Sequence, residues 1–250
     1  MSLRFPASRI ASMAEFEAWL RAERTLFDQR WLYEQQQIKS GQSNKREGTC
    51  ALCLMPTIFH SGAPESERNW REEMLCDCPR RLSNRQRAIL HYLRSRAGVA
   101  RGQRLAAIGP IAPIEGMLQE WGVALTRLPR LVGGRLRCAD GAADHVLCAD
   151  YLQLVPPIRL LLRELARVLR PGGELALTVP FDVSAAETKS RAFALPPHAA
   201  DNPEPLHLFG WDLLDLLRDL GFHDVAANFY WSDEFGYLGP FNMVIGGVKG

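Results

Sequence analysis

Apolar side chains in the N-terminal segment return at helical spacing: Phe16, Trp19, Leu20, Phe27 and Trp31. Residues three, four and seven apart share one face of a helix, so this spacing predicts one long amphipathic helix. Ser12 and Glu15 stand three apart at its start, where each side chain can satisfy a backbone N–H of the first turn. The polar run GQSNKREG, 41–48, ends it as a turn or linker. Between Cys50 and Cys78 neither period dominates. A second helix is predicted from Ser83, with Gln86 as its capping partner, Ile89, Leu90 and Leu93 as its apolar stripe and Gly98 as its stop.

Beyond Gly98 the pattern becomes short apolar runs alternating with helices. Strands are predicted at 104–108, 123–126, 145–149 and 174–179, and helices at 114–121, 158–169 and 211–220. Pro171-Gly172-Gly173 marks a tight turn into the fourth strand. Two further strands, 224–231 and 241–248, lie close enough in sequence to form an antiparallel hairpin. Strand–helix alternation of this kind implies a mostly parallel sheet covered on both faces. The expected organisation is a helical region over 1–98 followed by an α/β domain over 99–250.

Of 250 residues, 47% are hydrophobic and 23% charged, which excludes disorder as the main state because there is ample apolar surface to bury. A net charge of +2 gives no argument for a nucleic-acid or membrane partner. No apolar run is long enough to cross a bilayer. The opening MSLRFPASRIASMAEFEAWL lacks the apolar core and cleavage site of a secretory signal, so cytoplasm is the expected location.

In a cytoplasmic chain the six cysteines do not read as a disulfide framework. Cys50-Ala-Leu-Cys53 and Cys76-Asp-Cys78 offer four thiolates in two pairs. Zinc prefers tetrahedral sulfur, and paired cysteines at short spacing are its usual signature. Four ligands close the coordination sphere, so the expected role is structural, with metal affinity contributing to folding. His60 is a substitute ligand if Cys76 and Cys78 cannot both reach the ion. Cys138 and Cys148 read as core residues.

The run LLRELARVLRPGGELALTVPF, 161–181, resembles class I S-adenosylmethionine (SAM) methyltransferases, in which a helix of this kind leads through Pro-Gly-Gly into a strand ending Val-Pro-Phe. ADGAADHVLCADYLQLVPP resembles the family's fourth-strand region. HLFGWDLLDLLRDLGF and the terminal YWSDEFGYLGPFNMVIGGVKG resemble its later helix and hairpin in a bacterial subgroup. That subgroup places a cysteine cluster before an element matched here by Asn69-Trp70-Arg71-Glu72 and Leu82-Ser83-Asn84-Arg85-Gln86-Arg87-Ala88. The resemblance covers about residues 50–250 and implies a Rossmann-like methyltransferase sheet, preceded by a zinc-binding helical region.

It also implies a grip on SAM: a glycine-rich turn after the first strand, an acid after the second to hold the ribose, and a polar group for the adenine. This sequence departs at each. RLAAIGPIAPIEGM has Gly109 where two glycines are expected, and Pro110 and Pro113 stiffen the turn. VALTRLPRL carries Arg127 and no acid, the adenine position falls near Val132, and Gln153-Leu154 stand where relatives carry Glu-His. Gly109, Glu115 and Asp150 are the candidate cofactor residues. His198, His207 and Tyr151 are the candidate groups for deprotonating an acceptor, with Asp182 beside them. The Pro-rich insertion 184–205 carries His198.

Eight arginines and no acid fall between Cys78 and Glu115. A solvated helix face paired with acids such as Glu15, Glu17, Glu23 and Asp28 accounts for them, and a phosphate-binding surface is the sharper alternative. Three functions follow. The first is a SAM-dependent methyltransferase-like protein acting on a small molecule or sugar, with an atypical cofactor pocket. The second is a non-catalytic relative serving as scaffold or partner subunit, consistent with the eroded grip and the aromatic tail (Phe229, Tyr230, Trp231, Phe235, Tyr237 and Phe241). The third is a nucleic-acid module built on zinc and arginine.

Overall fold

The computed structural model describes residues 4–39, 45–61, 69–131, 133–191 and 205–250. The chain divides into two compact units. The first takes 1–10, 14–98 and 228–243, and the second 11–13, 99–227 and 244–250.

The first unit opens with β1 (Ala7–Ile10). The single helix expected next is two, α1 (Met13–Ala22) and α2 (Arg24–Lys39). The interruption is local: Glu23 N–H still donates to the Trp19 carbonyl (2.9 Å), and Phe27 N–H to that of Glu23 (3.0 Å). The turn sets Trp19 edge-on to Phe27, 4.8 Å between ring centres. The aperiodic stretch that follows is a small antiparallel sheet of β2 (Lys45–Thr49), β3 (Pro56–His60) and β4 (Leu75–Cys76). Strands this short offer too few residues for alternation to register. α3 (Asn84–Ser95) begins at Ser83, whose capping box with Gln86 is complete. Its inner face buries Ala88, Ile89, Leu90, Tyr92 and Leu93, each at most 2% exposed.

The second unit alternates as expected. β5 (Arg104–Ile108), α4 (Ala112–Glu120), β6 (Ala124–Arg127) and β7 (Ala143–Ala149) lead through a 3-10 turn at Leu152–Leu154 into α5 (Ile158–Val168) and β8 (Leu169–Thr178). A short pair, β9 (Lys189–Ser190) and β10 (His207–Leu208), precedes α6 (Asp212–Asp219), β11 (Phe222–Tyr230) and β12 (Met243–Lys249). The main sheet has the order β1-β11-β12-β8-β7-β5-β6. β6, β5, β7 and β8 run parallel, and β12 runs antiparallel to β8. This is a mostly parallel, Rossmann-like sheet with its last strand reversed. Val146, Leu147 and Cys148 are all 0% exposed, as a strand covered on both faces must be. α5 lays Leu161, Leu162 and Leu165 on it, also 0% exposed.

Two features bear on the site. β8 begins at Leu169, because Arg170–Gly173 bulge out between the pairs Ala143–Leu169 and His145–Glu174; the Pro-Gly-Gly turn is absorbed into the strand. Between β6 and β7 the chain forms neither helix nor strand among its described residues.

Candidate functional site

In an open α/β sheet, ligands bind beyond the C-terminal ends of the strands, where successive crossovers part to opposite sides. Here that point lies between β5 and β7, since β5 is followed by β6 on one side and by β7 on the other. The structure brings Gly109, Asp150 and Tyr151 together there. Gly109 has φ +105°, and a side-chain Cβ on it would fall 1.9 Å from the Ala149 carbonyl oxygen and 3.3 Å from Tyr151 Cβ. The glycine therefore answers to contact with the chain itself. Asp150 sits in the left-handed region at φ +43°, with its N–H donating to the Thr178 carbonyl (2.9 Å) and to Thr178 Oγ1 (3.2 Å). Tyr151 is half-buried, and burial pushes its phenol pKa up.

Glu115, expected to reach a cofactor, is spoken for. Arg127, at the end of β6, donates from Nε to one of its carboxylate oxygens and from Nη2 to the other. The second-strand position that would carry a ribose acid thus carries a cation, which engages the nearest acid on α4.

Among the catalytic candidates, His207 is engaged by its own surroundings. His207 is 6% exposed and holds both ring nitrogens in hydrogen bonds. Nε2 lies 3.2 Å from the Val155 carbonyl, so it carries the proton and donates; Nδ1 then accepts from Ser190 Oγ at 2.8 Å. Burial lowers its pKa, as suits a neutral histidine tying β9 and β10 to the loop before α5. Asp182 accepts from Ser184 N–H (3.0 Å), Ser184 Oγ (2.6 Å) and Lys189 Nζ (3.2 Å). His198 and Val132 lie outside the described residues.

The cysteine cluster assembles within the first unit. The sulfurs of Cys50, Cys53 and Cys78 all lie within 4.8 Å of one another, with Cys53 and Cys78 at 3.4 Å. Cys76 hydrogen-bonds Cys50 but is not among the three sulfurs that lie within 4.8 Å of one another, so the expected four-thiol group is closed at three. Cys50 N–H donates to the Met55 carbonyl (3.0 Å) and Leu54 N–H to that of Cys50 (2.8 Å), which curls the first pair into a knuckle. Arg81 N–H closes the second onto the Cys78 carbonyl (2.9 Å). The Cys50 thiol is held low, first by its bond from Cys76 and then by the backbone N–H groups of Cys53 and Leu52. A tetrahedral ion with about 2.3 Å metal–sulfur bonds sets its sulfurs about 3.8 Å apart, which this spacing meets. His60 stands outside the cluster, 3.7 Å from Asp77.

Sequence reading missed the group behind that cluster. Arg87, read as part of a solvated basic face, is 0% exposed. It donates to the carbonyls of Met74, Leu82 (2.8 Å), Phe235 (3.1 Å) and Gly236 (3.1 Å) and stacks 4.3 Å over Phe59. Its neighbours correct the expected pairing too: Arg85 joins Glu72 (2.7 Å) and Arg104 joins Asp144 (3.0 Å). The advance signal was the position of Arg87, three residues before Leu90 and so on the face of the apolar stripe.

Residues 119–177 match the family model described as a methyltransferase domain, a stretch running from the end of α4 into β8. A comparison with curated proteins returned no match. Among solved structures, a complex of the Haloferax volcanii Trm112 methyltransferase activator with a methyltransferase is similar at 16% identity and TM-score 0.46, over 64% of this chain and 88% of that one. A Haemonchus contortus phosphoethanolamine N-methyltransferase 2 in complex with S-adenosyl-L-methionine is similar at 16% identity and TM-score 0.41, over 58% and 38%. A SAM-dependent methyltransferase from Aquifex aeolicus gives 13% identity and TM-score 0.41, over 65% and 87%. Nothing about this chain's own ligands follows from them.

Proposed function

We propose that this chain is a methyltransferase-like protein that works without the usual grip on SAM, as a scaffold or partner subunit whose cysteine cluster holds a structural zinc. The observation carrying this reading is the Arg127–Glu115 pair. A ribose is usually held by a carboxylate after the second strand, and the end of β6 carries Arg127, which donates to both oxygens of Glu115 on α4. Gly109 supports it, since its missing side chain makes room for the Ala149 carbonyl. This reading expects the crevice to lack the usual grip on SAM, and no transfer step is derived through it.

A second reading, methyl transfer to a small molecule or sugar, is favoured by the meeting of Gly109, Asp150 and Tyr151 at the strand ends. Calorimetric titration with SAM and its demethylated product separates the two. The scaffold reading expects no saturable heat at millimolar cofactor. Binding with Kd near about 1 μM, an affinity worth about 8 kcal/mol, would end it.

A further inference from the structure

The first unit contains an open-mouthed hollow of about 60 Å³, walled by α1, α2 and the aromatic tail. A hollow of this size does not enclose a ligand; it offers aromatic walls on which one face of a ligand can rest. Its polar groups are few and placed on one helix. Glu34 is 5% exposed, and its Oε1 accepts from Trp231 Nε1–H (2.8 Å) and Gly239 N–H (2.9 Å). Arg30, one turn earlier on α2, lays its guanidinium 4.8 Å from the Trp231 ring centre and 5.8 Å from that of Phe27. Its Nε is buried and has no hydrogen-bond partner among the described residues. A buried donor left unpaired is costly, and here it sits in a cavity wall.

These groups select the ligand's charge and shape. Arg30 already takes the cation's place over the rings and disfavours a second cation, while Glu34 disfavours an anion, so the ligand is neutral. The wall rings do not form a parallel slot. Trp19 meets Phe27 at 83° and Phe229 meets Phe241 at 85°, while Trp19 with Phe229 (33°) and Phe27 with Phe241 (44°) are tilted, so no pair is parallel and the walls make a bowl. A flat base stacks best in a slot; a puckered ring with C–H groups on its faces and hydroxyls on its edge suits a bowl. Trp31 adds an indole that is 60% exposed.

We propose that this cavity binds a neutral pyranose sugar. Its C–H faces rest on the aromatic walls, one hydroxyl oxygen accepts from Arg30 Nε–H, and another hydroxyl lies within reach of the Glu34 carboxylate. The site shares no residue with the crevice at β5 and β7, so it stands whichever way the cofactor titration falls.

Trp19, Trp31 and Trp231 line the cavity, so tryptophan fluorescence of the full chain reports on it directly. Titration with the methyl glycosides of glucose, galactose and mannose, and with N-acetylglucosamine, should give a saturable change for at least one of them. Trp31→Ala, at an exposed position, should weaken it by about tenfold, and Arg30→Met should abolish it. Circular dichroism and thermal melts of both variants verify folding. Adenosine and uridine form the second arm: saturation by a nucleoside with no response to any sugar overturns the assignment. So does silence across all six compounds, or a sugar response that both folded variants retain.

Discussion

Arg87 carries a full charge into a fully buried position. Its guanidinium is held by four carbonyls and two rings, and burial lowers its pKa. Cys50, Cys76 and Cys78 are close enough to act on it electrostatically. Were a divalent ion held by these thiolates, any net negative charge there would be offset in part by this guanidinium. Arg87→Met should therefore leave several carbonyls unpaired and lower stability by about 3 kcal/mol or more, read as a shift in the urea midpoint. Asp144 is the corresponding case at the surface of the sheet unit. Its carboxylate accepts from Arg104 N–H (2.7 Å) and Arg104 Nη2 (3.0 Å) and from Arg170 Nε (2.7 Å), which hold its pKa well below the usual carboxylate range. A folded-state pKa that is depressed contributes stability above the unfolded value, lost as pH falls through the folded one. Thermal melts should accordingly decline on acidification below about pH 4, and Asp144→Asn should remove that part of the decline. An unaltered acid limb in the variant would refute the pairing. Neither role could be read from residue type, because an arginine in a basic run looks the same whether its neighbours are water or carbonyls.

Among the elements, the turn from β5 into α4 is the most constrained. At Gly109 any side chain meets both an unfavourable φ and the Ala149 carbonyl at 1.9 Å. Gly109→Ala should cost about 2–4 kcal/mol, from the left-handed backbone penalty and the displaced β7 end, and a melting temperature within error of the parent would show that the turn can relax. Helix positions were legible where amphipathicity was strong: α3, α5 and α6 fall within a few residues of their expected bounds. The parallel strands were legible as apolar runs. What escaped notice was punctuation. Glu23 carries no breaking residue type, and Pro-Gly-Gly became a bulge because β8 has β7 on one side and β12 on the other to keep it in the sheet.

On the scale of the whole molecule, the cysteine cluster lies beside the three-stranded sheet of the first unit. Elemental analysis of protein purified without chelator should find about one zinc per chain, and Cys53→Ser should lower it. Removing the metal should expose the amides of β2, β3 and β4 to hydrogen exchange while those of β5, β7 and β8 keep their protection. Uniform loss across both sets, or none in either, would contradict a local structural ion. No helix among the described residues is long and apolar enough to cross a membrane. The alternation of apolar runs was enough to specify the layered sheet, since burying a strand on two faces leaves a mark on every residue of that strand. Cysteine spacing was enough to specify a thiol cluster, since ligands on two short knuckles are nearly local. The fate of Glu115, the burial of Arg87 and the bowl beneath α2 depended on partners brought in from distant parts of the chain. Contacts of that kind have no period along the sequence, and only folding sets them.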